Sequence, residues 1–258
     1  MELIQYIRLF KFRYHLSFIC VIVGSLILAE QPLYTIIKPL LIVYLSFNVL
    51  LYGGLYTLND IADIEADSRH PEKKNRPLPS KKISVASAYI FAFVCMLIGL
   101  IIAYFYFGRS MFLLYASFIF VNQIYTHVAK KIPYFEILFN SLTYPMRFFL
   151  GILLVTDKIP YFLIFSIFLF AFGLACQRRV IERRAPGWEA RRVLKHYTEA
   201  KLIIFQVLAL AIIVAVSIVD YPLYSAWYII MILLYLIFVF GIHFSNYFLN
   251  FYKWLWLR

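Results

Sequence analysis

Charged residues are scarce in this sequence. Asp, Glu, Lys and Arg make up 15% of its 258 residues, and hydrophobic residues make up 64%. A soluble globular domain has about 25% charged residues, and about half of its residues are apolar. The scarcity of charge therefore excludes an ordinary soluble domain. Together with a mean hydropathy of +0.81, it predicts an integral membrane protein.

Sequence motifs of several enzyme classes are also missing. There is no Gly-rich phosphate loop, no Ser nucleophile elbow and no Cys-x-x-Cys pair. The three cysteines, Cys20, Cys95 and Cys176, lie in or at the edge of apolar stretches, so we expect them to be small core residues. The five histidines stand singly, without metal-ligand spacing, which argues against a zinc or haem site.

The net charge of +12 does not indicate a nucleic-acid partner, because the basic residues lie in short gaps between apolar runs. Lys and Arg in such gaps follow the positive-inside rule. If the N-terminus is cytoplasmic, nearly all of them fall on the cytoplasmic side. We therefore expect a protein of the cell inner (plasma) membrane with its active site facing the cytoplasm. No small-residue cleavage site follows the basic segment 1–13, so no cleaved signal peptide is expected.

Eight apolar runs are long enough to span a bilayer. They cover residues 14–31, 34–57, 84–107, 110–127, 134–156, 159–177, 202–219 and 223–243. They lack the polar alternation of a membrane β-barrel. We predict an all-α polytopic membrane bundle of eight transmembrane helices, built as a single domain over 1–258 with cytoplasmic loops near 58–83 and 178–201. The segment after 243 is expected to be interfacial or a short ninth helix.

The first long loop opens with the acidic stretch NDIADIEAD. Asp60, Asp63 and Asp67 are spaced i, i+3, i+7, which places them on one face of a helix, and Asn59 stands one turn before Asp63. Three carboxylates on one face repel one another, so we expect a cation between them. Oxygen-only ligands favour Mg²⁺ bridging to phosphate oxygens. A solvated, salt-bridged loop is the structural alternative.

Both long loops also carry basic residues. The first contains Arg69, Lys73, Lys74 and Arg76 directly after the aspartates, a run suited to the rest of a polyphosphate. The second begins with Arg178, Arg179 and Glu182 at i, i+1, i+4. After the break at Pro186-Gly187, residues 188–197 are expected to form a short amphipathic helix that acts as a lid.

Some polar residues lie in or near the apolar runs. Arg147 is a fixed charge within the fifth run, so we expect it to face the interior, where it suits a phosphate oxyanion. A buried ion pair with Glu136 is the structural alternative for Arg147, and Glu136 itself is either an orienting group or an interfacial residue. Tyr125 and Lys130, at the end of the fourth run, are candidate substrate contacts.

The stretch NDIADIEAD followed by HPEKKNRP resembles the first aspartate-rich motif of the UbiA-type intramembrane prenyltransferase superfamily. In that motif NDxxDxxxD is followed by a basic segment ending in RP. The Tyr125 and Lys130 pair, the Arg147 and Gly151 pair and the charged loop after the sixth run agree with it. The resemblance covers roughly residues 1–245. It implies Mg²⁺ as cofactor, and an isoprenoid lipid substrate with a phosphorylated or diphosphate donor.

The second loop departs from the usual pattern of this superfamily. Many relatives carry a second aspartate motif there, where this sequence has QRRVIERR. The Arg178-Arg179-x-x-Glu182 pattern and the DSRHPEKKNRP wording are similar to the branch of decaprenyl-phosphate phosphoribosyltransferases. That branch moves phosphoribose from 5-phosphoribosyl diphosphate to a polyprenyl phosphate and releases diphosphate. The further acids that relatives often have after the eighth span are absent here.

The resemblance implies a role for each candidate residue. Asp60, Asp63 and Asp67 would hold Mg²⁺ on the donor diphosphate, with Asn59 orienting the first of them. Lys73, Lys74 and Arg76 would contact phosphate oxygens. Arg178 and Arg179 would bind a second anionic group, with Glu182 paired to them or assisting the metal or ribose hydroxyls.

Three functions follow from these assignments. Two phosphorylated substrates require extra bases, so the main expectation is phosphoribosyl transfer to a polyprenyl phosphate. The first alternative is prenyl transfer to an aromatic, glyceryl or other lipophilic acceptor. The second is a non-catalytic transporter or lipid-binding scaffold. The sequence carries no indication of oligomeric state.

Overall fold

The computed structural model describes residues 2–69, 73–184 and 192–257. Within these ranges every regular element is helical, which confirms the all-α prediction. Prolines precede two of the helices, at Pro32 and Pro160. Ser84 and Thr198 cap two others by accepting backbone N–H bonds from Ser87 and Lys201, as is typical of helix N-termini.

The α-helices are numbered in chain order. They are α1 (Glu2–Leu9), α2 (Ile19–Ile27), α3 (Leu33–Val43), α4 (Tyr52–Ala62), α5 (Ile64–Ser68), α6 (Val85–Ile102), α7 (Arg109–His127), α8 (Phe135–Ile152), α9 (Tyr161–Arg183), α10 (Glu199–Val219), α11 (Tyr221–Tyr235), α12 (Gly241–Phe244) and α13 (Asn246–Leu257). Three π-helical segments join neighbouring helices, namely Tyr44–Leu51, Ala103–Phe107 and Leu236–Phe240. Short 3₁₀ helices cover Phe12–Phe18, Lys73–Asn75, Ala129–Lys131 and Arg192–His196.

Six helical segments in the described residues are long and apolar enough to cross a membrane. They are Leu33–Ala62, Val85–Phe107, Arg109–Lys131, Tyr161–Arg183, Glu199–Val219 and Tyr224–Phe244. A seventh is the pair Leu3–Leu9 and Tyr14–Ile27, bent by 44°, if the pair forms one span. Each of the seven overlaps a run predicted from the sequence, so the chain is an integral membrane protein.

The predicted number of eight spans is not confirmed. The fifth predicted run forms α8, which has 18 residues but is not among the apolar candidates. It carries Glu136 near its start, Pro145 and Arg147 in its second half, and thus has more polar character than its neighbours. The expected ninth element is α13, whose 12 residues extend only about 18 Å and are too short to span a bilayer.

The chain divides into two compact units. The first comprises residues 1–127 and 146–158, and the second comprises 128–145 and 159–258. The core of the first unit is centred on Phe47, Leu51, Tyr115 and Phe118. The core of the second includes Ile137, Val180, Ile181 and Tyr197. The single domain expected over 1–258 remains a prediction.

Within the first unit, α2 and the end of α8 pack at van der Waals distance through two glycines. A methyl group on Gly151 would clash with the carbonyl oxygen of Val21, and one on Gly24 would clash with that of Phe148. Small residues allow helices in membranes to approach this closely. The contact fixes the position of Arg147, which precedes Gly151 by one turn.

Candidate active site

The aspartate-rich stretch forms the end of α4 and the short helix α5. Asp63 lies at the junction, with φ −99° and ψ 4°, yet the bonds from Asp63 N to Asn59 O and from Asp67 N to Asp63 O keep a helical register across it. Asp60 and Asp67 consequently lie on one side of this segment, where both contact Arg76. Their side chains are nearly buried, at 6% exposure each.

A cation lies between these two carboxylates, and it is Arg76. Its Nη1 is 2.7 Å from Asp67 Oδ2 and 3.4 Å from Asp60 Oδ1. Lys73 Nζ approaches Asp67 Oδ1 at 3.7 Å, and Lys11 Nζ lies 2.5 Å from Asp60 Oδ1. These five residues are called the aspartate cluster below. The bases predicted to hold phosphate thus neutralise the carboxylates in this structure.

The other charged residues predicted in the first loop differ in their exposure. Asp63 is half-buried and Lys74 is exposed on the 3₁₀ helix Lys73–Asn75. Arg69 forms an exposed ion pair with Glu65 one turn earlier on α5. In the part of the chain that the structure describes, no three His, Cys, Asp or Glu side chains form a group that could hold a metal ion.

Asn59 is oriented by a residue that the sequence did not single out. Thr126, buried near the end of α7, donates a hydrogen bond of 2.6 Å to Asn59 Oδ1. The adjacent Tyr125 is half-buried on the same helix. The spacing of 67 residues between Thr126 and Asn59 explains why no local sequence pattern indicates the pair.

Arg147 lies on aromatic rings of the first unit. Its guanidinium carbon is 4.5 Å from the ring centroid of Tyr52 and 4.8 Å from that of Phe118, and the residue is 1% exposed. The ring of Tyr52 contacts that of Tyr56 in turn, with centroids 4.2 Å apart and planes tilted by 56°. Tyr56 precedes Asp60 by one helical turn, so this aromatic column leads from Arg147 towards the aspartate cluster on one face of α4.

A second charged group lies in the other unit and is called the glutamate network. Arg179 Nε is 2.5 Å from Glu136 Oε1, its Nη2 bonds Glu136 Oε2, and its Nη1 is 2.5 Å from Glu182 Oε2. Tyr197 donates a hydrogen bond of 3.0 Å to Glu136 Oε1. Burial and the adjacent Glu136 carboxylate raise the pKa of Tyr197, which keeps this hydroxyl protonated.

The glutamate network engages the basic residues at the start of the second loop in ion pairs. Glu136 pairs with Arg179. Arg178 donates from Nε to Glu182 Oε1 at 2.9 Å. The Arg-Arg-x-x-Glu pattern therefore folds onto itself through charge-assisted bonds, with Arg179 2% exposed.

The described residues include the second half of the expected lid, and they include the candidate substrate contact Lys130. Pro186, Gly187 and Trp188 lie outside the described residues. The following residues form the 3₁₀ helix Arg192–His196, in which Val193 and Leu194 are buried. Lys130 is half-buried on the 3₁₀ helix Ala129–Lys131.

A model of the UbiA prenyltransferase family matches residues 17–256. The chain belongs to the UbiA prenyltransferase family. A fold comparison agrees with this assignment: a solved UbiA homolog from Archaeoglobus fulgidus, bound to GPP and Mg²⁺, aligns with a TM-score of 0.77 and 16% identity over 97% of this chain and 95% of that one.

Three curated relatives share segments with this UbiA family member. Digeranylgeranylglyceryl phosphate synthase of Methanococcus aeolicus is 44% identical over 33% of this chain and 29% of its own. Nodulation protein NoeC of Azorhizobium caulinodans is 29% identical over 56% and 46%. Protoheme IX farnesyltransferase of Baumannia cicadellinicola is 32% identical over 39% and 37%. The matched segment thus spans less than half the length of each relative.

Proposed function

We propose that this chain transfers an isoprenyl group from its diphosphate to a lipophilic acceptor in the membrane and releases diphosphate. The observation that carries the proposal is the aspartate cluster within a UbiA family chain. Two buried carboxylates there share one cation, and further bases suited to phosphate oxygens lie beside them. Two of the curated relatives are named for a digeranylgeranylglyceryl phosphate product and for farnesyl transfer.

In this proposal Asp60, Asp63 and Asp67 hold Mg²⁺. Asp60 and Asp67 fit the ion, because carboxylate oxygens suit Mg²⁺ and because both side chains already converge on one cationic atom, Arg76 Nη1. When bound, Mg²⁺ supplies positive charge that makes the diphosphate a better leaving group. The Archaeoglobus homolog bound to GPP and Mg²⁺ supports this assignment.

Different residues of the chain stabilise the diphosphate and the isoprenyl group while the bond between them breaks. Lys73, Lys74 and Arg76 stabilise the charge that develops on the diphosphate as its bond to the first carbon of the isoprenyl group breaks. The amide of Asn59 donates to the same anion. On the other side, the face of Tyr56 stabilises the allylic cation. The acceptor forms the new bond to that carbon and loses a proton.

Further residues are assigned to substrate binding and take no direct part in breaking the bond. Arg147, held on Tyr52 and Phe118, contacts a polar group of a substrate. Tyr125 and Lys130 remain proposed contacts as well. Under the positive-inside rule, the basic loops support a site at the cytoplasmic side of the cell inner membrane.

Prenyl transfer is favoured over phosphoribosyl transfer because of the glutamate network. The phosphoribosyl hypothesis depended on Arg178 and Arg179 as bases for a second phosphorylated substrate. In the structure all three nitrogens of the Arg179 guanidinium bond to Glu136 and Glu182, and Arg178 also bonds Glu182. Anion binding at Arg179 would break a buried ion pair, which is strongly unfavourable.

Donor binding to the purified full chain in lipid nanodiscs tests the proposal. Labelled geranyl diphosphate should bind with Mg²⁺ and not with EDTA, and 5-phosphoribosyl diphosphate should not displace it. Asp63→Asn should abolish this binding, whereas Lys82→Met, at an exposed position of the same loop, should leave it unchanged. Binding of 5-phosphoribosyl diphosphate with no binding of allylic diphosphates would overturn the proposal in favour of phosphoribosyl transfer.

A further inference from the structure

Lys11 reaches the aspartate cluster from outside the aspartate-rich motif. Its Nζ lies 2.5 Å from Asp60 Oδ1, across 49 positions of sequence, and the two side chains are only 15% and 6% exposed. The residue lies in the turn between α1 and the 3₁₀ helix Phe12–Phe18. A charge-assisted bond this short and this shielded is much stronger than a surface ion pair.

The local backbone and an aromatic ring hold Lys11 in this position. Its φ of 50° and ψ of 51° lie in the left-handed region, which is uncommon for a residue with a side chain. The turn is closed by bonds from Lys11 N to Arg8 O at 3.3 Å and from Tyr14 N to Lys11 O at 2.8 Å. The ammonium group also lies 5.1 Å from the ring centroid of Tyr56.

The ammonium group occupies the oxygen that a metal would need. Asp60 Oδ1 receives both Lys11 Nζ and Arg76 Nη1. A Mg²⁺ ion takes its carboxylate ligands at about 2.0–2.1 Å. An ammonium on the same oxygen would then lie a few ångströms from a divalent cation, and the two charges would repel strongly in this shielded site.

We propose that Lys11 is the resident counter-ion of Asp60 and that a divalent cation displaces it on binding. The proposal rests on the proposed function, because it takes the aspartates as metal ligands. Lys11 holds the Asp60 carboxylate in place before the metal and the donor arrive. It also lowers the metal affinity of the free protein and makes the N-terminal turn responsive to the metal.

Metal affinity of Lys11 variants tests the competition. Mn²⁺ binding to the purified full chain is followed by the EPR signal of the free ion. Lys11→Met removes the competing charge and should tighten binding about tenfold, the change expected for losing one charged hydrogen bond. Lys11→Arg and Lys82→Met should both bind like the unchanged chain. Affinity that is unchanged or weaker in Lys11→Met would overturn the proposal.

If the Lys11→Met protein does not fold, a measurement on the unchanged chain still tests the displacement of Lys11. The labelling rate of each lysine by an amine-reactive reagent is followed by mass spectrometry with and without Mn²⁺. Lys11 should react several-fold faster with Mn²⁺, because displacement exposes its ammonium, and exposed Lys82 should react equally in both conditions. A Lys11 rate that does not rise with Mn²⁺ would contradict displacement.

The two proposals fail in different ways. If the unchanged chain binds Mn²⁺ and Asp63→Asn abolishes the binding, the metal role of the aspartates holds, and only the Lys11 result decides the counter-ion proposal. If the unchanged chain binds no Mn²⁺ at the aspartates, both the metal part of the proposed function and the counter-ion proposal are wrong.

Discussion

Thr126 donates its hydroxyl hydrogen to Oδ1 of Asn59 at 2.6 Å, which ties the end of α7 to the first residue of the aspartate-rich motif. With Oδ1 accepting this bond, the amide N–H groups of Asn59 are the donors available for a phosphate. The pair therefore sets which end of the Asn59 amide faces the substrate.

Replacing Thr126 tests this positioning role. Thr126→Val keeps the shape of the side chain but loses the hydroxyl, so the amide is no longer fixed, and kcat/KM for the allylic diphosphate should fall about tenfold for a loss of about 1.4 kcal/mol. Thr126→Ser retains the hydroxyl and should recover most of the activity at the same unfolding temperature. Equal activity of the Val and Ser variants would show that the bond does not matter.

Arg76 is expected to stabilise the metal-free protein, because it neutralises two nearly buried carboxylates. Arg76→Met leaves Asp60 and Asp67 to repel one another, so the unfolding temperature without metal should fall by several degrees. Added Mg²⁺ should restore much of the loss, since it supplies the missing positive charge. Lys74→Met, in the same turn but exposed, should unfold like the unchanged chain. An Arg76→Met protein that is stable with EDTA would contradict the role.

The glutamate network is expected to be structural. Arg179→Met and Glu136→Gln each break a buried ion pair and should each cost about 3–5 kcal/mol of stability. The double variant removes both charges, and its loss should be clearly smaller than the sum, as thermal unfolding in detergent would show. Arg179→Met with normal unfolding but no activity would instead support the anion-binding role predicted from the sequence.

The contact of α2 with α8 should tolerate no methyl group at Gly151. Gly151→Ala meets backbone atoms of Val21 and Ser25, so the helices must separate and Arg147 must shift, with a loss of a few kcal/mol. Gly241→Ala is the milder comparison, because its methyl group meets only the ring of Phe248, at 3.2 Å. Unfolding temperatures check both. Equal temperatures for the Gly151→Ala protein and the unchanged chain would show that the helices have room to adjust.

Periodicity and composition predict most of the helices, because a span must satisfy its backbone internally and face lipid with apolar side chains. Among the described residues, α8 is the predicted span that is not apolar enough to count as a membrane-crossing candidate. Its charged residues Glu136 and Arg147 are buried in the folded chain. The contacts that bury these charges depend on tertiary packing, so they cannot be predicted from hydropathy along the sequence.

The same limit applies to the candidate site. Helical spacing predicts a cation among Asp60, Asp63 and Asp67, and in the structure Arg76 lies between Asp60 and Asp67. It does not identify Lys11 as a partner of Asp60 or Thr126 as a partner of Asn59, since these residues are 49 and 67 positions from their partners. The bases Arg178 and Arg179 also looked available in the sequence, because nothing local shows that Glu136, 43 positions before Arg179, neutralises one of them.

The identity of the transferred group tests the central claim most directly. Purified chain in nanodiscs is incubated with Mg²⁺, membrane lipids as acceptors and two donors together, geranylgeranyl diphosphate and 5-phosphoribosyl diphosphate, and the products are identified by mass spectrometry. The account predicts lipid products enlarged by an isoprenyl group, with Asp60→Asn forming none. Products enlarged by phosphoribose alone would contradict it.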